Sequence, residues 1–366
     1  MSRFHRLLGE RAFFYDCRRM LAREDVPLAP LTTLRLGGPA ARMVEIQSED
    51  DVMLAVRDAD ARAEPLLVLG GGSNIVVADA GFPGLVANMA IRGIDVRKDG
   101  QRVVVDVAAG EDWDPLVARA VDEGWSGFEC MSGIPGRVGA TPIQNVGAYG
   151  QEVSDTVAWV RAFDRADQAF VTLEASACGF GYRTSLFKRE SRWIVTRVRF
   201  VLEAGREAPV RYAELARVLS LPRGARAPSR TVRDTVLELR RSKGMVLDPS
   251  DPDSVSAGSF FVNPVLDAQA FAELERRAGE RPPCFEVGDG RAKVPAAWLV
   301  ERAGFPKGWG HGAVGVSRKH ALALVNRGGA TTHELLALAR AICEGVRARF
   351  GVELEPEPVF VGCSWQ

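Results

Sequence analysis

The stretch from Ser132 to Gly150, SGIPGRVGATPIQNVGAYG, constrains the fold more than any other part of the chain. It contains five glycines, two prolines and a single charged residue, Arg137, so a regular helix cannot run through it. Glycine lets the backbone approach a ligand where a Cβ atom would collide, and consecutive amides can form an anion-binding concavity. A glycine-rich surface turn is the ordinary alternative for such a stretch.

A second glycine cluster, Leu69 to Asn74 (LGGGSN), lies upstream and follows the strand-like segment PLLVL. Two loops with few side chains suggest that both approach one extended ligand that carries phosphate groups. Gly70 to Asn74 lacks the Lys-Ser/Thr pair of a P-loop, and no predicted strand leads into GxGxxG and a helix. The loops therefore favour neither a P-loop nor an ordinary Rossmann nucleotide site.

Length and charge limit the possible partners. At 366 residues the chain can form two or three domains with a large core. The charges of its 47 basic and 47 acidic side chains cancel, so no net charge attracts nucleic acid or an anionic membrane. The stretch 1–20 lacks the apolar core of a signal peptide, and no apolar run approaches the ~20 residues of a membrane-spanning helix. We expect a cytoplasmic monomer without nucleic-acid or membrane partners.

The six cysteines are scattered along the chain, and no two of them form a CxxC pair. This spacing fits neither a zinc site nor a small scaffold stabilised by disulfides. We therefore expect reduced thiols and no bound metal.

The first folded segment follows a β-α-β pattern. Arg42 to Ile46 is predicted as a strand, and Ser48 with Asp51 resembles the capping box of a helix. Pro65 to Leu69 is then predicted as a buried strand that enters the first glycine loop.

The same reasoning predicts the later elements from periodicity, turn residues and caps. Predicted strands are Gly84–Ala90, 103–107 after a hairpin turn at Asp99-Gly100, Val157–Phe163, Ala169–Leu173, Trp193–Leu202, Ala321–Val325 and Val352–Val361. Predicted helices are Asp112–Glu123, Ser229–Ser242, Asp267–Ala278, Ala296–Ala303 and a long helix from Thr331 to Phe350 that begins with a Thr331–Glu334 capping box.

Seven motifs occur in an order that resembles the UDP-N-acetylenolpyruvoylglucosamine reductase family. They are TTLRLGG, LGGGSN, SGIPGRVGATPIQNVGAYG, FGYRTSLFK, RYAEL, AGSFFVNP and LEPEPVFVG. The resemblance covers roughly Leu31 to Gly362, and IPG followed by PIQNxGAYG is highly specific. LGGGSN alone would be weak evidence for the family.

The resemblance implies an α+β protein with a two-subdomain FAD-binding fold of the p-cresol methylhydroxylase and vanillyl-alcohol oxidase type, joined to an α+β substrate-binding domain. The boundaries it suggests are an N-terminal extension at 1–30, an FAD-binding domain at 31–243 with subdomains at about 31–92 and 93–243, a substrate-binding domain at 244–350, and a C-terminal strand at 351–366 that returns to the active site.

The activity that the resemblance implies has two half-reactions. NADPH reduces FAD, and a hydride from N5 of the reduced flavin then reduces the enolpyruvyl ether of UDP-GlcNAc to UDP-N-acetylmuramate, a precursor of peptidoglycan. None of the four histidines lies in the glycine loops. Covalent attachment of the flavin through histidine is therefore not expected, and FAD should dissociate.

Three residues carry catalytic roles if the family's pattern applies. Arg183, in FGYR, would pair with the substrate carboxylate and stabilise the developing enolate, since a guanidinium fork suits that planar oxygen pair. Ser259, in AGSFF, would donate the proton to the second carbon, and Glu357, in LEPE, would be the third active-site group. Without their motifs, these residues would be a surface arginine, a strand-start hydroxyl and a solvated carboxylate.

The glycine loops would hold the FAD pyrophosphate. The cofactor-binding residues carried over are Gly70, Gly71, Gly72, Ser73, Asn74, Pro135, Gly136, Gly139, Ala140, Thr141, Gln144, Asn145, Gly147 and Ala148. Those on the UDP-sugar side are Tyr149, Tyr212, Arg240, Lys243 and Asn263. The alternative for Arg240 and Lys243 is a purely structural role, in which they complement the dipole at the end of the predicted helix Ser229–Ser242. Tyr212 is typical of the form of the family that closes a tyrosine-bearing loop over the diphosphate.

The chain also departs from the family's pattern. Thr32, Val262 and Pro358 stand where asparagine, lysine and valine are more usual. Lys307 to Ser317 lacks a glutamine that some members place near the substrate, and Gly310 or His311 stands in its place. Two other functions are open at this stage: oxidation of an alcohol or sugar by O₂ on the same fold, and binding of a nucleotide sugar without catalysis.

Overall fold

The computed structural model describes residues 21–365. Its first part contains β1 (Arg23–Pro27), β2 (Pro39–Ile46), α1 (Glu49–Ala61), β3 (Leu66–Leu69), β4 (Ile75–Val77) and β5 (Phe82–Met89). The sheet order is β1-β2-β5-β3. Strands β2 and β3 both run parallel to β5, whereas β1 is antiparallel to β2.

The predicted β-α-β opening is confirmed, including the cap of its helix. The Ser48 hydroxyl accepts from the Asp51 amide, and the Asp51 carboxylate accepts from the Ser48 amide. The expected N-terminal extension falls partly on residues 1–20, which lie outside the described residues. Its described part instead contributes β1, whose pairing with β2 makes residues 23–27 an edge of the first sheet.

The second part is built on a larger antiparallel sheet. Its elements are β6 (Ile94–Asp99), β7 (Arg102–Ala108), α2 (Trp113–Glu123), β8 (Trp125–Ser126), β9 (Gly147–Ala148), β10 (Gln151–Glu152), β11 (Val157–Asp164), β12 (Ala169–Glu174), α3 (Leu186–Arg189), β13 (Trp193–Ala204), β14 (Glu207–Pro209), α4 (Ala213–Val218), β15 (Arg226–Pro228) and α5 (Ser229–Ser242). The sheet order is β12-β11-β13-β7-β6, and β8 also pairs with β13.

Local signals in this part are confirmed by the structure. The hairpin turn after Asp99 joins β6 to β7, and Gly124 ends α2 in the left-handed conformation with φ +76°. Val103, Val105 and Val107 are fully buried, because alternate residues of a strand face the same side of the sheet.

The third part has a small sheet packed against a long helix. Its elements are β16 (Ser256–Ser259), β17 (Val265–Leu266), α6 (Ala268–Ala278), β18 (Phe285–Glu286), β19 (Ala292–Lys293), α7 (Ala296–Arg302), β20 (Val314–Val316), β21 (Ala323–Asn326), α8 (Thr332–Phe350) and β22 (Val359–Val361). Six of these strands form two three-stranded sheets, β16-β21-β20 and β17-β19-β18, and the seventh, β22, pairs with β4. The Thr331–Glu334 capping box of α8 is formed as predicted.

The closing strand predicted at Val352–Val361 is wrong over most of its length, because only residues 359–361 form a strand. Pro356 and Pro358 lack the N–H groups that a continuous ladder needs. The preceding residues are nevertheless fixed by single hydrogen bonds, from Val262 N to Glu355 O and from Glu357 N to Phe260 O.

The C-terminal residues tie the third part to the first. Strand β22 runs parallel to β4, and Leu34, Leu36 and Val76 belong to the same buried apolar cluster as α7 and α8. The Val359 amide donates to Asn74 O at 2.9 Å, so the end of the chain lies beside the first glycine loop. No helix among residues 21–365 has both the length and the apolar character needed to cross a bilayer.

Candidate active site

A cleft lies where the glycine loops meet β16 and the C-terminal segment. It has about 830 Å³ of empty space, part of it open to solvent. All three predicted catalytic side chains, Arg183, Ser259 and Glu357, line this cleft. Their neighbours in its wall include Ser73, Asn74, Pro135, Gln144, Gly147 and Arg240.

The two glycine loops touch each other beside the cleft. A Cβ atom on Gly71 would lie 2.6 Å from Gly136 Cα, and one on Gly136 would lie 2.9 Å from the Ser73 hydroxyl oxygen. Both distances are shorter than a van der Waals contact. Glycine is favoured at both positions for different reasons: a Cβ atom on Gly71 would meet the Gly136 backbone, whereas Gly136 has φ +128° and a Cβ atom on it would meet the Ser73 side chain.

The amides of these loops are available to a ligand. Within residues 21–365, the N–H groups of Gly71, Gly72, Ser73 and Gly136 donate to no protein acceptor. Gly72 is also buried and has φ +59°. Because buried amides nearly always have a partner, these groups are suited to an anionic ligand between the loops.

Glu357 is enclosed by polar groups from both glycine loops. Gln144 Nε2 donates to Glu357 Oε1 at 3.4 Å, and Asn74 Nδ2 donates to Gln144 Oε1 at 2.6 Å. Asn74 also donates to the Glu357 carbonyl oxygen at 3.3 Å. The carboxyl group is thus held by a chain of amides that begins in the first loop and passes through the second.

Burial raises the pKa of the Glu357 carboxyl, and the positive charges of Arg183 and Lys188 oppose this effect. Arg183 Nε lies 3.4 Å from Glu357 Oε1. Removing a carboxylate from water disfavours its charged form, whereas a nearby cation favours it. The guanidinium is therefore the first of the two cations that limit the rise in the pKa of Glu357.

Arg183 occupies a strained position in the backbone. Its φ is +54°, in the left-handed region that non-glycine residues rarely adopt. It lies in a tight turn in which Gly181 and Thr184 exchange backbone hydrogen bonds, and one of its terminal nitrogens donates to Gly147 O at 2.7 Å. The turn and this bond together direct the guanidinium towards the second glycine loop.

Ser259 is positioned by an irregularity at the end of β16. The pairing of β16 with β21 shifts register between Ser256 and Ser259, and Gly258 between them has φ +76°. Such bulges redirect side chains and often lie beside active sites. The Ser259 hydroxyl lies 3.3 Å from Nε2 of His320.

The predicted substrate residues form a second group beside the cleft. Tyr149 and Tyr212 contact each other edge to face, with ring centroids 5.4 Å apart, and Lys243 Nζ lies 5.6 Å from the Tyr149 ring. Lys243 also pairs with Glu214 at 2.7 Å. These three side chains lie together, but they are not part of the wall of the cleft.

Arg240 lines the cleft, whereas Asn263 does not. One terminal nitrogen of Arg240 donates to Met245 O at 2.7 Å, and its Nε has no acceptor within the described residues. Burial lowers the pKa of Arg240 to about 10. Asn263 Oδ1 accepts from the Ala296 amide at 2.9 Å, so it fixes the start of α7.

Segments in both halves of the chain match the models of known protein families. Residues 40–174 match the model of an FAD binding domain, and residues 249–361 match the C-terminal domain of UDP-N-acetylenolpyruvoylglucosamine reductase. The reductase of Thermobifida fusca is 56% identical over 93% of this chain and 98% of its own length. That of Streptomyces coelicolor is 53% identical over 93% and 90%, respectively. The chain belongs to the UDP-N-acetylenolpyruvoylglucosamine reductase family. The crystal structure of the Thermus caldophilus reductase has a TM-score of 0.65 and 27% identity, covering 93% of this chain and all of that one.

Family membership accounts for the α+β architecture, in which an FAD-binding domain is joined to the C-terminal domain of the reductase family. The two glycine loops fit the cofactor of that FAD-binding domain, because they combine unpaired amides with a contact that no side chain could share. Two other predicted members, Gly139 and Asn145, hold the second loop against neighbouring segments. A Cβ atom on Gly139 would lie 2.5 Å from Ala109 Cβ, and Asn145 Nδ2 donates to Glu152 at 2.8 Å.

His320 belongs to the site but was not predicted from the sequence. The residues considered for a group near the substrate were Lys307 to Ser317, in which His311 is exposed and the Gly310 carbonyl accepts from Arg327. His320 follows that window in the segment VSRKHALAL. A lone histidine there carries no recognisable signal, since only the β16–β21 pairing brings it to Ser259. No group of His, Cys, Asp and Glu among residues 21–365 could hold a metal ion.

Proposed function

We propose that the protein catalyses the NADPH-dependent, FAD-mediated reduction of enolpyruvyl-UDP-N-acetylglucosamine to UDP-N-acetylmuramate in peptidoglycan precursor synthesis. The observation that carries the proposal is one cleft lined by Arg183, Ser259 and Glu357 beside two contacting glycine loops. Similarity to curated reductases over 93% of the chain supports the same substrate.

FAD, when bound, supplies the hydride that NADPH has given it. The unpaired amides of Gly71, Gly72, Ser73 and Gly136 would hold its pyrophosphate. The chain's own groups then act on the enolpyruvyl ether, whose terminal carbon receives the hydride. This addition leaves negative charge on the neighbouring carbon and its carboxylate, and that charge must be stabilised and then protonated.

Arg183 is the group suited to stabilise the charge. Its guanidinium can contact a planar carboxylate with two parallel N–H groups, and its bond to Gly147 O holds it in place before the substrate binds. Glu357, 3.4 Å away, orients the guanidinium and balances its charge inside the cleft. A donor held ready in this way stabilises a transition state without reorganisation.

Ser259 is the proposed proton donor to the second carbon. A serine hydroxyl is a weak acid, so it can serve only where the acceptor is strongly basic, as the carbanionic form of the enolate is. Its place at the β16 bulge fixes the hydroxyl in the cleft. The residues Tyr149, Tyr212, Arg240 and Lys243 would bind the UDP-sugar, with the Tyr212 loop closing over the diphosphate.

Absorbance spectra test the proposal in one experiment. The purified protein should be yellow, lose its flavin absorbance on anaerobic addition of NADPH, and regain it on addition of the enolpyruvyl nucleotide. Reoxidation by O₂ but not by the nucleotide would favour an oxidase. A protein that binds the nucleotide but contains no flavin would instead be a binding protein.

A further inference from the structure

His320 has no part in the function proposed so far, although its ring lies within 3.3 Å of the Ser259 hydroxyl oxygen. It lies in the connection between β20 and β21, at the first position of the turn that leads into β21. The Ser317 hydroxyl accepts from the backbone amides of both Lys319 and His320, and the His320 carbonyl accepts from the Ala323 amide. The backbone at His320 is therefore fixed on both sides.

The same sheet fixes the partner hydroxyl. Ser259 pairs across the ladder with Ala323, and the adjacent Phe260 amide donates to Leu322 O at 2.7 Å. Ser259 thus lies in a strand of this small sheet, and His320 lies three residues before the strand that pairs with it. Their contact follows from the pairing of the strands and from the hydrogen bonds that fix the connection between β20 and β21.

The surroundings of the ring keep it uncharged. Burial, together with the nearby positive charges of Lys243, Lys307 and Arg240, lowers the pKa of His320 to about 4. The two cations that precede His320 in the sequence form ion pairs with carboxylates: Arg318 pairs with Asp253, and Lys319 pairs with Asp251. A neutral imidazole has one N–H donor and one acceptor nitrogen, so it can present a single donor to Ser259.

We propose that His320 is a positioning residue for the proton transfer, acting by donating its Nε2–H to the Ser259 oxygen. This bond leaves the hydroxyl hydrogen free to point at the substrate. When the Ser259 O–H bond breaks and its proton forms the new C–H bond, the oxygen becomes an alkoxide that still accepts from Nε2–H. The alkoxide then takes a proton from solvent, and His320 keeps its own throughout. The inference rests on the proposed function.

The experiment compares His320→Leu with His320→Gln in stopped-flow measurements of the two half-reactions. Leucine removes the donor, whereas glutamine can place an amide N–H near the position of Nε2. In His320→Leu, the alkoxide that forms at Ser259 loses a hydrogen bond to a charged group. The usual strength of such a bond predicts that oxidation of the reduced flavin by the enolpyruvyl nucleotide slows ~10- to 100-fold. Reduction of the flavin by NADPH should stay within about twofold of wild type, and His320→Gln should recover most of the lost rate.

Two further measurements separate positioning from mere structural support. The solvent deuterium isotope effect on reoxidation should increase in His320→Leu, because proton transfer becomes the slower part of that step. His333→Leu, which removes an exposed histidine of α8, is the control and should match wild type.

Equal slowing of both half-reactions, an equal loss in the leucine and glutamine variants, or an unchanged His320→Leu rate would each overturn the role of His320. Failure of wild-type enzyme to pass hydride to the nucleotide would instead overturn the proposed function.

Discussion

Replacing Gly71 with alanine tests the contact between the two glycine loops. The added Cβ would lie 2.6 Å from Gly136 Cα, 3.1 Å from Gly136 C and 3.4 Å from Arg137 N. All three neighbours are backbone atoms, so no side-chain rotation can relieve the clash. Since carbon atoms make contact at about 3.5–4.0 Å, the loops must separate by roughly 1 Å. Gly71 does not have a positive φ, so alanine introduces no backbone strain of its own.

A separation of that size moves at least one free amide out of hydrogen-bond range of a pyrophosphate held between the loops. Loss of one hydrogen bond to a charged group costs about 1.5–3 kcal/mol. We therefore expect the Kd for FAD to rise roughly 10- to 100-fold in Gly71→Ala. The fold itself should persist, because the substitution lies beside the cleft and not within an apolar cluster.

The assay is titration of flavin-free protein with FAD, followed by flavin fluorescence, with circular dichroism to check folding. Gly205→Ala is the matched control, because a Cβ at Gly205 meets no atom within 4 Å and its φ is not positive. The control should bind FAD like wild type. An unchanged Kd in Gly71→Ala would mean that the loop contact does not shape the cofactor site.

Three further predictions follow from the geometry of the cleft and the charges around it. In Ser259→Ala, turnover should fall ~10²- to 10⁴-fold, as expected for loss of a general acid, while NADPH still reduces the flavin at a near-normal rate; equal slowing of both steps would make Ser259 structural. In Arg183→Lys, the planar fork is lost, so stopped-flow reoxidation by substrate should slow at least ~10-fold, and an unchanged rate would remove Arg183 from the mechanism. The pKa of His320 is about 4 in the folded protein against 6.5 ordinarily, so the unfolded chain binds a proton that the folded chain does not as pH falls through this window. The free energy of unfolding should therefore decrease from pH 6.5 to pH 4, by at most about 3 kcal/mol from this group. Urea titrations over this pH range should show a smaller decrease in His320→Gln than in wild type. Identical pH profiles of the two proteins would contradict a lowered pKa of His320.

Most regular elements could be predicted because their signals are local. The capping boxes at Ser48 and Thr331 and the left-handed glycine after α2 each depend on residues within one turn of helix. The buried alternation in β7 depends on a period of two. The closing strand was wrong because Val352–Val361 has a strand-like composition, yet Pro356 and Pro358 prevent a continuous ladder.

The prediction of the site was less complete than that of the regular elements, because no single segment of sequence shows which distant residues lie close together in space. The motifs identified Arg183, Ser259 and Glu357, but not the chain from Asn74 through Gln144 to Glu357. They also gave no indication of His320. Both findings depend on hydrogen bonds between residues that are far apart in sequence, and such pairings have no local pattern.

The sequence alone determined the family, the glycine loops and the identity of the groups available for chemistry. Only the tertiary structure decided that Gly71 touches Gly136, that Arg183 accompanies a half-buried Glu357, and that a neutral histidine contacts Ser259. The physical reason is that backbone conformation responds to neighbours along the chain, whereas contact, burial and charge depend on which strands pair. In this protein the pairing of β22 with β4 and of β16 with β21 assembles the cleft.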